Sequence, residues 1–81
     1  MRVILGIEIG NREEDATKVQ ALLTEYGCSI KTRLGMHEAG NLCSSMGLII
    51  LEFAFGSEER AFALESELKK LDAVKVRKME F

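Results

Sequence analysis

The chain has 81 residues, 47 % of them hydrophobic, with 11 basic and 13 acidic side chains and a net charge of -2. That length predicts one domain over 1–81, and no apolar run is long enough to span a bilayer. The acidic balance argues against direct nucleic-acid binding, because such binders carry a basic face that neutralises phosphates.

The first residues, Met1-Arg2-Val3-Ile4-Leu5-Gly6, run quickly into Glu8 and do not read as a signal peptide. A cytoplasmic location is therefore expected, with Cys28 and Cys43 reduced and acting as small hydrophobes. Val3, Leu5, Ile7 and Ile9 alternate with Ile4, Gly6 and Glu8, the period of two that marks a strand. Gly10-Asn11 ends it. Asn11 is a suitable N-cap, and Glu14 stands three residues on as in a capping box. Val19, Leu22, Leu23 and Tyr26 form one helical stripe, and Gly27 is expected to close that helix in the left-handed conformation.

From Cys28 the period returns to two, with Ile30, Thr32, Leu34 and Met36 on one side and Lys31, Arg33 and Gly35 on the other. His37 to Asn41 reads as a hairpin loop. The run Leu48 to Phe55 is apolar on both faces, as a central strand is. Gly56-Ser57 breaks it, and Ser57 is placed to cap a second helix with Glu58 and Glu59 in its first turn. Ala61, Leu64, Leu68 and Leu71 supply the stripe of that helix, Lys69 and Lys70 its basic end, and Val74 and Val76 open a last strand.

The order β-α-β-β-α-β predicts an α+β, ferredoxin-like sandwich: a four-stranded antiparallel sheet ordered 4-1-3-2 with two helices on one face. The apolar faces of the first and third strands, Phe53 and Phe55 included, are expected to meet the helices. The opposite face would carry Ile4, Leu48, Ile50 and Ala54 beside Glu8, Glu52, Lys31 and Arg33. Clustered aliphatic side chains on an open face point to self-association there, as a dimer or tetramer.

One end of the sheet gathers a candidate ligand site: Gly10 and Asn11 at the helix start, Arg33 as a bidentate anion partner, Gly35, and His37 in the hairpin. Plain helix capping and turn chemistry is the competing reading. His37 is the only histidine; a metal site would need several donors, such as Cys43 or Glu38 and copies from other subunits. The residues do not identify a cofactor. There is no Ser/Cys–His–acid spacing, no phosphate loop and no HExxH, so an enzyme is not expected. Glu8 and Glu52 fall at different heights and do not suit an acid/base pair. Copper-chaperone and RNA-recognition readings fail on the residues of the first loop and on the absence of a stacking platform.

The stretches Glu25-Tyr26-Gly27, Ile30, Arg33-Leu34-Gly35-Met36 and Gly47-Leu48-Ile49-Ile50 resemble the small regulators named for the iron-only hydrogenase system. That family keeps a helix-ending Tyr-Gly and an Arg-x-Gly-(Met/Ile) in its second strand, and the likeness covers nearly the whole chain. It looks like ACT domains and like the C-terminal domain of nickel-responsive regulators. The resemblance implies an oligomeric, non-enzymatic regulator of transcription in a hydrogenase system, sensing an amino-acid-like effector or a metal, with a protein partner. The chain departs from those regulators in lacking their several histidines, and, as the sequence opens at the sensor-like domain, a ribbon-helix-helix DNA-binding arm is not expected. The alternative is a scaffolding protein of metalloenzyme maturation with no ligand of its own.

Overall fold

The computed structural model describes residues 1–10, 13–36 and 47–81, with the side chains of Glu13 and Met36 excepted. The elements are β1 (Val3–Ile9), α1 (Glu13–Glu25), a short 3-10 turn (Gly27–Ser29), β2 (Ile30–Met36), β3 (Gly47–Phe53), α2 (Glu58–Leu68) and β4 (Val74–Glu80). The strands form one antiparallel sheet in the order β2-β3-β1-β4, which is 4-1-3-2 read from the other edge.

Alternation along β1 and β3 sets the core. Leu5 pairs with Leu51 and Ile7 with Ile49, so their apolar side chains share one face. Val19 and Leu23 of α1 and Ala61, Leu64 and Leu68 of α2 join the same buried cluster, with Val74 and Val76 of β4. Leu5, Ile7, Leu51, Leu64 and Leu68 are all fully buried, and each contributes roughly 1.5–3 kcal/mol.

α1 does not stop at a left-handed Gly27. Among the described glycines only Gly56 has a positive φ (88°), and Gly27 instead starts the 3-10 turn, in which the Ser29 N–H donates to Tyr26 O at 3.0 Å. Ser57 occupies the N-cap of α2 but makes no capping bond through its side chain; Glu58 Oε1 accepts from the Gly56 N–H instead, at 3.1 Å. Phe55 is not in the core either. β3 ends at Phe53, the chain turns at Gly56, and Phe55 is 86 % exposed.

The second strand departs most from simple alternation. Ile30 pairs with Phe53 but Thr32 pairs with Glu52, so an irregularity at Lys31 resets the phase. Beyond it Arg33 pairs with Leu51 on the core side, where its Nη2 donates to Gln20 Oε1 of α1, while Leu34 pairs with Ile50 on the far side. Arg33 therefore does not share a face with Ile4 and Ile50, and Leu34 takes that place.

Polar contacts tie the helices down. Arg60 lies 4.3 Å from the Tyr26 ring centroid, joining α2 to the end of α1. On the other side, Glu65 receives Lys69 and Lys78, each at 3.2 Å, and Lys78 also lies 4.6 Å from the Phe62 ring. Burial alone would push the Glu65 carboxyl up, but the hydrogen bonds and charges of Lys78 and Lys69 outweigh it and hold the carboxyl below its ordinary value. At the sheet end, the Gly10 N–H donates to Ala73 O at 2.7 Å, and a Cβ on Gly10 would stand 3.1 Å from that oxygen and 3.2 Å from Ala73 Cβ.

Because the folded Glu65 titrates below its ordinary 4.5, the unfolded chain binds more protons in that window. The stabilisation is complete above the unfolded value and is lost as the pH falls through the folded one. Glu65→Gln should cost on the order of 1 kcal/mol in urea melts near pH 7, and the gap from wild type should close toward about pH 3; a gap of equal size at both would contradict the ion-pair account. At the sheet end, Gly10→Val should cost about 1–3 kcal/mol through crowding against Ala73. Gly35→Ala, with nothing within 4 Å of its new Cβ, should stay within about 0.5 kcal/mol of wild type.

Candidate functional site

The sheet end expected to bind a ligand is only partly assembled from the described residues. Gly10 lies beside Ala73, one residue beyond the Ile9–Gly47 and Ile9–Val74 pairs, and Gly35 stands opposite Ile49 near the same end. Arg33 sits in the row of Leu5 and Leu51, about 17 Å along the strand from Gly10. Its guanidinium is bonded to Gln20, seven residues into α1. It does not reach the helix start where an anion was expected. Asn11 and His37 lie outside the described residues, as do Glu38 and Cys43. Among the described residues no group of three or more His, Cys, Asp or Glu is arranged to hold a metal ion.

The face turned away from the core is better defined, and strand register builds it row by row. Leu48, Glu8 and Lys75 form the first row; Leu34, Ile50, Gly6 and Arg77 the second; Thr32, Glu52, Ile4 and Met79 the third. Three of the four residues expected at an interface, Ile4, Leu48 and Ile50, stand on this face. Ala54 follows β3 directly, half-buried, with its N–H donating to Ser29 O at 2.8 Å. Leu34 and Met79 enlarge the apolar area, at 54 % and 51 % exposed. Leu34 was hidden from a sequence reading by the phase reset at Lys31, and Met79 by the charged run around it.

The charges of this face are mostly spoken for. Glu8 Oε1 lies 3.9 Å from Lys75 Nζ, and Glu52 Oε2 lies 3.3 Å from Arg2 Nε, with Thr32 Oγ1 donating to Glu52 Oε1 at 3.4 Å. The two carboxylates stand two rows apart, about 13 Å along the strands. Between them Gly6 leaves the surface without a side chain, and a hollow of about 360 Å³ opens there, lined by Gly6, Glu8, Leu48, Lys75 and Arg77. Lys75 and Arg77 belong to a short basic cluster of the last strand that reads as solvated from sequence alone, and the signal that could find the hollow is the glycine in mid-strand.

No protein-family model matches the sequence, and no curated protein matches it. Solved structures do. An uncharacterized protein, TM1266, from Thermotoga maritima superposes with a TM-score of 0.75 at 24 % identity, covering 96 % of this chain and 92 % of that one. A formyltetrahydrofolate deformylase from Pseudomonas putida KT2440 matches all of this chain with 29 % of its own, at a TM-score of 0.58 and 13 % identity. The de novo designed protein Foldit4 matches at 0.51 and 18 % identity, over 100 % of this chain and 99 % of that one. At these identities the likeness concerns fold alone. The chain has a ferredoxin-like α+β architecture, one that a designed protein also adopts.

Proposed function

We propose that this chain is a non-enzymatic regulatory domain that assembles with copies of itself and responds to a small molecule or metal, acting on transcription through a partner protein. The observation that carries the reading is the accessible apolar area on the sheet face turned away from the core, where Leu34, Leu48, Ile50, Ile4 and Met79 adjoin. In a domain this small, such an area favours burial against a second copy.

Two further features support it. Glu8 and Glu52 are held in ion pairs in separate rows, an arrangement suited to orienting a surface and not to paired acid/base chemistry. The net negative charge favours a protein partner over nucleic acid as the route to transcription. The link to a hydrogenase system rests on the sequence resemblance alone. A metal effector would need His37 and Cys43 from more than one copy.

Ile50 stands at the middle of the face, half-exposed, so a charge placed there leaves the core intact. Ile50→Glu would bury an unpaired carboxylate in the assembly, at a cost of about 3–5 kcal/mol, which weakens association by roughly two to four decades. Sedimentation equilibrium should show wild type as a dimer or larger and Ile50→Glu as a monomer with unchanged circular dichroism. An assembly indifferent to that substitution would place the interface elsewhere.

A further inference from the structure

Gly6 occupies the middle of β1, a strand paired on both sides, opposite Ile50 on one neighbour and Arg77 on the other. A glycine there weakens the strand by roughly 0.5–1 kcal/mol relative to alanine, so it calls for a reason. Backbone geometry supplies none: the register runs through Gly6 without interruption on both sides, and its φ is not positive. Crowding supplies none either. A Cβ at this position would stand 3.7 Å from Ile50 Cδ1 and 4.0 Å from Arg77 O, ordinary contact distances. A strand glycine required neither by conformation nor by packing is often found where a ligand or another chain approaches the sheet closely.

That space is the hollow of about 360 Å³, near the lower end of the range for small-molecule sites. Its charges do not cancel. Glu8 is engaged with Lys75, whereas Arg77 donates one Nη1–H to Val76 O at 2.9 Å and forms no ion pair among the described residues. A guanidinium carries five N–H donors in a planar fork suited to a carboxylate. Leu48 walls the other flank, with Ile50 Cδ1 at the edge. Surplus positive charge on one side and hydrocarbon on the other select an anion with a short apolar body.

We propose that the hollow over Gly6 binds a small aliphatic carboxylate, its carboxylate held by Arg77 and its hydrocarbon lying over Gly6 against Leu48. This rests on the reading of the chain as a ligand-responsive oligomer and adds the class of ligand and its place. A second copy laid on this face turns an open hollow into a closed chamber, and excluding water there strengthens the attraction between Arg77 and a carboxylate.

The test is an amide-resolved NMR titration of the full chain with isovalerate, with neutral isovaleramide and inorganic phosphate as comparisons and sedimentation run on the same samples. Isovalerate should give saturable shifts at Gly6, Leu48, Lys75 and Arg77, and neither comparison compound should. Arg77→Met should weaken binding at least tenfold. Gly6→Val should abolish it, and Gly6→Ala should weaken it, both without lowering the melting midpoint, since each improves strand propensity. Absence of saturable shifts, equal binding of phosphate or the amide, or binding unaffected by Gly6→Val would overturn the proposal. A wild type that associates yet ignores isovalerate refutes this site and leaves self-association standing. Carboxylate binding by a strict monomer would do the reverse.

Discussion

The register between β1 and β3 governs both sides of this molecule. With Leu5 opposite Leu51 and Ile7 opposite Ile49, the apolar alternation of the two strands is in phase, and the helix stripes have one continuous surface to cover. The same pairing puts Ile4, Gly6 and Glu8 opposite Glu52, Ile50 and Leu48 on the reverse side. A slip of one residue would exchange the two sets and expose the core. The buried cluster and the accessible face are thus consequences of one set of backbone hydrogen bonds, and substitution on the open face leaves the core untouched. The ion pairs on that face, Glu8 with Lys75 and Glu52 with Arg2, are solvent-exposed. Each contributes about 0–1 kcal/mol, enough to orient side chains but too little to hold the fold.

Much of this architecture was legible in the sequence. The period of two over Val3 to Ile9, the doubly apolar run from Leu48 and the stripes through Val19 and Leu23 and through Ala61, Leu64 and Leu68 lead to the elements observed. The errors have local causes. Ile30, Thr32, Leu34 and Met36 alternate without a break in the sequence, so nothing announced that Lys31 would reset the phase and turn Arg33 toward α1. Phe55 prolongs the apolar run past the point where Gly56 turns the chain, and composition alone does not show where pairing stops. Gly27 suggests a left-handed cap, but the chain continues into a 3-10 turn in which the Ser29 N–H donates to Tyr26 O.

The site was less legible than the fold, because it depends on which side chains share a row. Gly10 was singled out for ligand approach, whereas its immediate neighbour is Ala73, packed where a Cβ would crowd. In the sequence Gly6 is simply one residue of the mixed face of β1. Only the pairing of three strands brings Gly6, Leu48, Lys75 and Arg77 around one hollow. The remaining candidates, Asn11 and His37, lie outside the described residues. Fold-level likeness adds no chemistry, since one protein of the same architecture is a de novo design; function has to come from the face itself.

The central claim is that the sheet keeps an accessible apolar face that another copy covers. Solvent paramagnetic relaxation of methyl signals, followed across a dilution series, tests it most directly. The account predicts that the methyls of Ile4, Leu34, Leu48 and Ile50 are shielded at high protein concentration and relax faster on dilution, while those of Leu5 and Leu64 stay shielded throughout. Equal relaxation of the four open-face methyls at every concentration, in a chain that nonetheless associates, would contradict it.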